Sequence, residues 1–410
     1  MKMSVQHIIK YWFKNRDVVH NYNYFDAHSY AQYYLYSDKL ACIAGLHFFL
    51  WGALRSYDPN PFFMSQYYQK KYNLDKREVP VVHYLLYGKK HRHKINIYQD
   101  AQFFFKQPIS QDYLRIETTV RKVIIGQQQK KRDKLCFYAQ FDPEGIIDQH
   151  VILFIQELSR CGFEIVFISA SPTLYEEEIM KVSAYCSRII HKKNIGIDFH
   201  SWAVAVKLQT RLELYTQVVF TNDSFYGPCN NLKTIFKNME KRHVDVWSLA
   251  DYAVPGHYCL QSFFLCFNSK PIQNGFIYNY FERYILYTQK KWIVARHEMG
   301  LTPLLRDCGY TISAYCQMRK IKKMIRHTYG EKYIYHRNQV RLTKAMNMMY
   351  FFWDFLIQEC QFPVLKVSVL LFNIAKSPAN AQAVISATNY PFAFVVAHVR
   401  RIRKYYKKFM

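Results

Sequence analysis

The sequence predicts a doubly wound α/β domain with a mostly parallel sheet, between an N-terminal helical repeat region and a basic, helical C-terminal extension. Strand-like and amphipathic segments alternate from residue 135, as they do in βαβ units. An aromatic-rich pattern occurs twice before that point, and basic residues dominate the chain after residue 319. The predicted boundaries are 1–125 for the repeats, 126–325 for the α/β domain and 326–410 for the extension.

The N-terminal repeat is degenerate. The segment YFDAHSYAQYY is echoed by PFFMSQYYQKK, and His47 and Gly52 have equally spaced counterparts in His83 and Gly88. Each copy is predicted to form two helices, with the glycines ending helices. Such units bury their aromatic faces by stacking on one another, so the histidines are expected to pack inside the repeat.

The α/β domain is predicted from alternating apolar and amphipathic segments. The basic stretch GQQQKKRDK before it is interpreted as a linker or an exposed edge. The predicted elements are strand 135–142, helix 146–162, strand 163–171, helix 173–187, strand and loop 188–196, helix 198–213 and strand 216–224.

The strand VVFTNDS ends on polar residues, Asn222, Asp223 and Ser224. In doubly wound sheets ligands bind beyond the carboxyl ends of the strands, so these side chains are expected to meet a nucleotide or phosphate. The alternative is an Asx-turn that only ends the strand.

The chain is strongly basic, with a formal charge of +26, and 18% of its residues are aromatic. Such a surface suits an anionic partner: nucleic acid, anionic lipid or a phosphorylated small molecule. The basic residues concentrate near the C-terminus and no nucleic-acid-binding signature is present, so nucleic acid is not the expected partner.

The cysteines and the apolar segments bear on the compartment. The ten cysteines lack metal-site spacing and are expected to be buried free thiols in a reducing compartment. No apolar run is long enough for a signal peptide or a membrane span. A cytoplasmic protein is expected.

Several short motifs follow one another in the central segment. Their residues are Asn194, Gly196, Asp198, Asn222, Asp223, Ser224, Gly227, Pro228, Asp245, Trp247, His257, Gln261, Ser262, Glu298, Gly300, Leu301 and Thr302. In this order and spacing the sequence resembles the rhamnan synthesis F family of glycosyltransferases across roughly residues 135–316, with Ser248 where that family usually has glycine.

The resemblance implies a GT-A-like fold and sugar transfer from a nucleotide-activated donor such as dTDP-rhamnose. The acceptor would be a glycan or lipid-linked glycan of a surface polysaccharide such as rhamnan, O-antigen or capsule. The competing hypothesis is a non-catalytic glycan-binding or scaffold protein of a polysaccharide synthesis complex.

The donor's diphosphate needs charge compensation, from a divalent cation, basic side chains or helix N-termini. Asp223 is predicted either to bind a Mg²⁺ or Mn²⁺ ion or to contact the ribose of the donor. Residue 225 is Phe, so a paired carboxylate is absent and the need for a metal stays open. Asp198 is expected either to cap a helix or, with Asn194 and Gly196, to form a nucleotide-binding loop.

The remaining motif residues are assigned to sugar and acceptor. Trp247 beside Asp245 could hold a sugar by stacking and hydrogen bonding. His257 and Gln261 would share one face of a helix and contact diphosphate or acceptor, unless the histidine is structural.

Inverting transfer needs a general base. Glu298 is the first candidate and Asp245 the second. The alternative for Glu298 is a favourable interaction with a helix N-terminus.

The final segment, FAFVVAHVRRIRKYYKKFM, combines an apolar stretch with a basic cluster. It is predicted to lie on the anionic inner face of the cell membrane, with its aromatic residues inserted. The alternative is a basic tail on a helix that packs against the protein.

Overall fold

The computed structural model describes residues 17, 19, 24–128, 132–254, 257–342 and 346–406. The chain divides into two compact units. A helical unit comprises Met1–Pro108 and Tyr287–Cys308, and an α/β unit comprises Ile109–Leu286 and Gly309–Met410. This division differs from the predicted boundaries, because 287–308 groups with the repeats and the basic C-terminal segment groups with the sheet.

The helical unit consists of short helices joined by tight turns. Its α-helices are Ala27–Tyr34, Ala41–His47, Ser65–Lys71, Pro80–His83, Ala101–Phe105, Lys290–Ile293 and Met299–Asp307. Wide π-helical turns occur at Phe48–Gly52, Tyr84–Gly88 and Val294–Glu298, and 3₁₀ turns at Asp38–Leu40, Ala53–Arg55 and Ile97–Gln99.

The segment 287–308 completes the core of the repeats. The Trp292 ring stacks on Tyr33, with 4.2 Å between ring centroids. Arg296 is buried and its Nη2 donates to Asp58 Oδ2 at 2.9 Å. A buried guanidinium requires such a partner, so this ion pair stabilises the packing of the segment against the repeats.

The repeated histidines have the same role in both copies. The Tyr30 hydroxyl lies 2.9 Å from His47 Nδ1, and the Tyr68 hydroxyl lies 3.0 Å from His83 Nδ1. The expectation that both histidines pack inside the repeat is confirmed.

Gly52 and Gly88 are the last residues of the π-helical turns Phe48–Gly52 and Tyr84–Gly88, as predicted, but neither has the left-handed conformation usual for a glycine that ends a helix. The backbone at Gly52 is right-handed helical, and the left-handed residue that ends this run is Ser56, with φ 54°. A Cβ on Gly52 would lie 2.2 Å from the Tyr30 hydroxyl, and one on Gly88 would lie 2.2 Å from the Tyr68 hydroxyl. Glycine is needed here for close approach, not for conformational freedom.

We expect Gly52→Ala to destabilise the protein by about 1–3 kcal/mol, because the added methyl overlaps the Tyr30 hydroxyl. Tyr30→Phe removes the clashing atom, so Gly52→Ala should cost less in that background. Urea unfolding of the wild type, both single variants and the double variant measures the coupling. An equal cost of Gly52→Ala in both backgrounds would contradict the close-approach explanation.

The α/β unit is built on a mixed sheet. Its strands are β1 (Val120–Ile125), β2 (Lys134–Gln140), β3 (Phe163–Ser169), β4 (Arg188–Lys192), β5 (Gln217–Asn222), β6 (Phe225–Tyr226), β7 (Val246–Val254), β8 (His257–Leu260), β9 (Phe264–Asn268), β10 (Ile312–Cys316) and β11 (Leu365–Lys366). The main sheet has the order β1-β4-β3-β2-β5-β9-β7-β10; β8 pairs with β7, and β6 and β11 form a separate pair.

The prediction of a mostly parallel α/β sheet is confirmed. Strands β2 to β5 are parallel neighbours, β7 is parallel to β10, and β9 runs antiparallel to both β5 and β7. Strands β2, β3, β4, β5, β7 and β10 therefore share one direction.

Helices surround this sheet and form the C-terminal region of the unit. They are Gln111–Leu114, Gln149–Arg160, Glu176–Ser183, Ile197–Leu208, Leu232–Glu240, Ser269–Gln273, Phe276–Glu282, Met318–His327, Ile334–Leu342, Met348–Phe351, Trp353–Glu359, Val367–Phe372, Ala381–Ser386 and Phe392–Tyr406, with 3₁₀ turns at Ile116–Thr119, Leu212–Leu214 and Glu331–Tyr333. Among the described helices, none has both the length and the apolar character needed to cross a bilayer.

The strand order places a switch point between β2 and β5. The chain continues from β2 to β3 and β4 on one side, whereas β5 lies on the other side of β2. The segments that follow β2 and β5 therefore lead to opposite sides of the switch point at the carboxyl edge of the sheet. This is where doubly wound proteins bind their ligands.

Candidate active site

Asn222 organises the end of β5. Its Nδ2 donates to Asp198 Oδ2 at 2.7 Å, and its Oδ1 accepts from the Ser224 backbone N–H at 3.1 Å and from the Ser224 hydroxyl at 2.7 Å. The Asx-turn expected as the alternative is therefore present. The same side chain also ties the turn to Asp198, so the two polar motifs are brought together.

Asp223 lies at the switch point itself. Its Oδ2 accepts from the Phe141 backbone N–H, just after β2, at 2.9 Å. The residue keeps some solvent exposure, but its carboxyl is densely surrounded by protein. Burial raises the pKa of Asp223 to about 8, and the nearby carboxylates of Asp198 and Asp142 contribute to the increase.

The loop 194–198 brings Asp198 to this edge. Gly196 has φ 69° and a Cβ there would lie 2.6 Å from His200 Cβ, so glycine is required both for conformation and for space. Gly196 occupies the N-cap position of Ile197–Leu208 and Asp198 lies within the first turn. The N-cap interpretation of Asp198 is therefore wrong, whereas Asn194 is exposed beside the loop.

A second carboxylate group follows β2. Arg401 of the C-terminal helix donates to Asp142 Oδ2 at 2.5 Å and to Glu144 Oε2 at 2.7 Å, and it also contacts Asp148 closely. Lys404 Nζ donates to Glu144 Oε1 at 2.7 Å. We call Asp142, Glu144, Asp148 and Arg401 the arginine cage.

The arginine cage changes the interpretation of the C-terminal segment. Val395 and Ile402 are buried in the α/β unit, and Arg401 is paired, so this apolar face is not available for membrane insertion. The C-terminal segment instead forms a helix that packs against the protein, which was the alternative prediction. Arg400 and Arg403 are exposed, and the predicted basic residues Lys407 and Lys408 lie outside the described residues.

Lys366 is a basic residue at the site that the sequence did not reveal. It lies in β11, which pairs with β6, and its Nζ donates to the Ser224 hydroxyl at 3.0 Å. The ammonium also lies 4.3 Å from the Phe263 ring centroid. Lys366 follows Ser224 by 142 positions, and no local motif marks it.

Asp245 lies at the opposite edge of the sheet. Its backbone carbonyl accepts from Asn268, which pairs with Gln217 at the start of β5. At about 3.3 Å per residue, the start and end of β5 are about 17 Å apart. The Asp245 carboxylate instead accepts from the Thr311 N–H at 2.8 Å, so it joins the starts of β7 and β10 and is removed as a candidate base.

Trp247 is also structural. It is buried in the core, with its ring 5.6 Å from Phe264 and 5.4 Å from Phe236. The expected sugar stacking on Trp247 does not hold, because the alternation of β7 turns this side chain into the core.

His257 and Gln261 do not share a helix face, because β8 is extended. His257 is exposed at the start of β8. Gln261 is buried and its Nε2 donates to the Asp251 carbonyl at 3.3 Å and to Asn347 Oδ1 at 3.2 Å. Gln261 therefore positions backbone and is not open to a ligand.

Asp251 is a carboxylate that the sequence analysis missed. Ser248 pairs with Leu265, and Leu265 pairs with Phe220, so Asp251 is level with Asp223 at the carboxyl edge. Its Oδ1 accepts from the Met318 N–H at 2.7 Å, and burial raises the pKa of Asp251 to about 6.

Glu298 belongs to the helical unit. It is half-buried within a continuous helical run from Lys290 to Asp307. The alternative interpretation, a carboxylate that interacts favourably with a helix N-terminus, is wrong because the helical run continues on both sides of Glu298. Its neighbours Arg296 and His297 are buried in that unit.

The fold and this edge define a doubly wound α/β protein with acidic residues at a topological switch point. The family model of rhamnan synthesis protein F matches residues 165–410, more than half of the chain. The chain belongs to this family.

A curated relative is the uncharacterized protein y4gN of Sinorhizobium fredii. It is 25% identical over 191 residues, which cover 46% of this chain and 49% of that protein. The matched region thus spans about half the length of the relative.

Solved glycosyltransferase structures resemble the chain weakly. Mannosyltransferase PcManGT of Pyrobaculum calidifontis, in complex with GDP-Man and Mn²⁺, has a TM-score of 0.29 at 11% identity and covers 75% of this chain and 89% of its own. S. aureus TarS 1–349 has a TM-score of 0.26 at 13% identity, covering 68% and 92%. Likeness at this level carries no argument about function.

Proposed function

We propose that the protein is a glycosyltransferase that uses a nucleotide-activated sugar to extend a surface polysaccharide. The observation that carries the proposal is Asp223, a carboxyl of raised pKa at the β2–β5 switch point, linked through Asn222 to the loop of Asp198. Family membership supports the same reaction class.

The residues at this edge fit a hard divalent cation. Asp223 and Asp198 offer carboxylate oxygens, which Mg²⁺ and Mn²⁺ prefer, whereas Asp142 is engaged by Arg401. Asp223 would hold the cation, with Asp198 close enough to add charge. When bound, the cation supplies compensation for the charge that develops on the leaving diphosphate.

Lys366 and Ser224 supply a second source of compensation. The Lys366 ammonium is held beside Ser224 by a hydrogen bond and lies next to the turn that follows β5. A cation fixed before the reaction stabilises developing phosphate charge without reorganisation. Asn194 and the backbone around Gly196 complete the proposed donor site.

The donor is proposed to be dTDP-rhamnose or a related nucleotide sugar, and the acceptor a lipid-linked glycan. The test is a panel of nucleotide sugars incubated with the purified full-length protein, with release of nucleoside diphosphate as the readout. Turnover of one donor that depends on added glycan acceptor supports the proposal. Tight glycan binding without turnover of any donor would favour the non-catalytic alternative.

Glu298 is proposed as the general base of an inverting transfer, and Asp251 is the candidate that replaces Asp245. We expect Glu298→Gln to lower kcat by roughly 10²-fold or more while donor affinity stays near normal, since a base acts on the acceptor. Asp251→Asn is the comparison variant. Steady-state kinetics with fixed donor, together with donor binding measured by calorimetry, separates the two effects.

Two outcomes would reassign the base. If Asp251→Asn gives the kcat loss and Glu298→Gln does not, the base is Asp251. If Glu298→Gln weakens donor binding but leaves kcat unchanged, Glu298 has a binding or structural role.

Contact with an anionic inner membrane surface is proposed for the helix Met318–His327. Its inner face buries Met318, Ile321 and Ile325. Its outer face exposes Arg319, Lys320, Lys323 and Arg326. Each basic residue near an anionic surface contributes about 1 kcal/mol, so this face suits a reversible electrostatic contact.

Reversing charge at Lys320, Lys323 and Arg326 to Glu should abolish co-sedimentation with anionic vesicles at low salt. Wild-type binding should weaken as salt rises, because the contact is electrostatic. Arg400→Glu with Arg403→Glu is the matched control on the C-terminal helix. Loss of binding only in that control would place the contact on the C-terminal helix instead.

A further inference from the structure

Three side chains of the α/β unit converge where the C-terminal helix meets the loop after β2. Asp148, His150 and His398 each offer one ligand atom, and these atoms lie within 4.8 Å of one another. Asp148 Oδ2 and His398 Nε2 are 3.6 Å apart. That separation is too long for a hydrogen bond but close to the ~3.4 Å between ligands of a tetrahedral metal ion with bonds of ~2.1 Å.

His150 provides an independent observation. The residue is 4% exposed, and its buried Nδ1 has no hydrogen-bond partner among the described residues. A buried polar atom without a partner costs about 1–3 kcal/mol. The His150 ring centroid lies 4.4 Å from that of His398, so the two imidazoles face the same small volume.

The surroundings hold these ligands in place. The hydroxyl of the fully buried Tyr226 lies 2.8 Å from His398 Nδ1, which leaves Nε2 for the side that faces Asp148. Metal-binding histidines commonly have such a partner on the other ring nitrogen. Arg401 also pairs with Asp148 Oδ2, so a metal ion at this carboxylate would share it with the guanidinium, whose charge is offset by Asp142 and Glu144 in the arginine cage.

We propose that Asp148, His150 and His398 bind one divalent transition-metal ion of the zinc class, which fastens the C-terminal helix to the loop after β2. Two imidazoles and one carboxylate suit Zn²⁺ or Co²⁺, whereas Mg²⁺ takes oxygen ligands such as those at Asp223. The ligand set differs from that of the proposed donor site, which it adjoins because His150 hydrogen-bonds the Asp223 backbone. It does not depend on transferase activity.

The test uses full-length protein freed of metal with a chelator. Zn²⁺ and Mg²⁺ are titrated separately by calorimetry, and thermal unfolding is followed at increasing metal concentration. We expect one Zn²⁺ per chain and a melting temperature that rises with Zn²⁺, because a ligand of the native state stabilises it. Mg²⁺ should not reproduce the rise.

His150→Gln and His398→Gln should each abolish the zinc-dependent rise. The matched control is His336→Gln. His336 is also buried against a carboxylate, with Nε2 2.9 Å from Asp354 Oδ1, but within the described part of the chain no metal-ligating group that includes this pair is found. Asp148→Asn, an isosteric change at a half-buried position, serves if a histidine variant fails to fold.

Co²⁺ distinguishes this site from the ten cysteines of the chain. Imidazole and carboxylate ligands give visible d–d absorption without thiolate-to-cobalt charge-transfer bands. Unchanged zinc stoichiometry and stabilisation in the folded His398→Gln or Asp148→Asn protein would overturn the proposal. So would thiolate bands in the cobalt protein, or no zinc binding by the wild type.

Discussion

Asp223→Asn is expected to reduce sugar transfer by roughly 10²-fold or more while the protein stays folded, the scale of losing one key electrostatic contact. The amide oxygen can still accept from the Phe141 N–H, which the wild-type carboxylate accepts at 2.9 Å. The charge that would hold a cation or orient the donor is lost. Initial rates with saturating acceptor measure the change.

The raised pKa of Asp223 makes both cation binding and folding stability depend on pH. Cation affinity should increase as pH rises, whereas the stability of the cation-free protein should decrease. Because burial raises this pKa from 3.8 to about 8, the neutral carboxyl is favoured in the folded protein below pH 8. Binding of Mg²⁺ or Mn²⁺ requires the ionised form, so cation affinity should increase as pH rises towards 8.

Without a cation, ionisation of Asp223 opposes folding. The wild type should therefore lose stability relative to Asp223→Asn as pH rises from about 4 to above 8. Denaturant unfolding of both proteins at a series of pH values tests this. A folded Asp223→Asn protein with near-normal transfer would exclude Asp223 from the donor site, and a pH-independent stability difference would contradict the buried carboxyl.

Arg401→Ala is expected to destabilise the protein by about 3 kcal/mol, the lower end for removing one partner of a buried ionic group. The Arg401 side chain is 19% exposed, and it is surrounded by Asp142, Glu144 and Asp148. Its removal leaves three carboxylates facing one another. Arg400→Ala, at an exposed neighbouring position, should change stability by less than about 0.5 kcal/mol.

The arginine cage should also weaken in acid. Lys404, Tyr405 and Arg401 hold the pKa of Glu144 at about 2, below its ordinary 4.5. A lowered carboxylate pKa contributes stability above pH 4.5 that is lost as pH falls towards 2. The difference between wild type and Arg401→Ala in urea unfolding should therefore shrink over this range. Equal stability of Arg401→Ala and Arg400→Ala at neutral pH would show that the cage does not hold the C-terminal helix.

The sequence by itself determined the α/β class and the polar end of β5. Alternating apolar segments bury themselves only against a sheet and its helices, so local pattern was sufficient for β2 to β5 and their connecting helices. The order of motifs was also sufficient to identify the family, which the match over 165–410 confirms. The fold class, the polar end of β5 and the family can all be read from patterns within short stretches of the sequence.

The tertiary structure decided which of the motif residues share a site. Asp223 meets the end of β2 because β2 and β5 are adjacent and parallel, and Asp198 joins them from the first turn of the helix after β4, where it accepts from Asn222. Asp245 and Trp247 do not join them, since the direction of β7 sends the first to the opposite edge and its alternation turns the second into the core.

The remaining site residues arrive from distant segments. Lys366 reaches Ser224, and Arg401 reaches the loop after β2, across contacts separated by 142 and by more than 250 positions. Periodicity and local motifs describe only what a residue's neighbours favour. Partners so far apart in the chain are chosen by packing and charge compensation in the folded protein, so only the tertiary structure could reveal them.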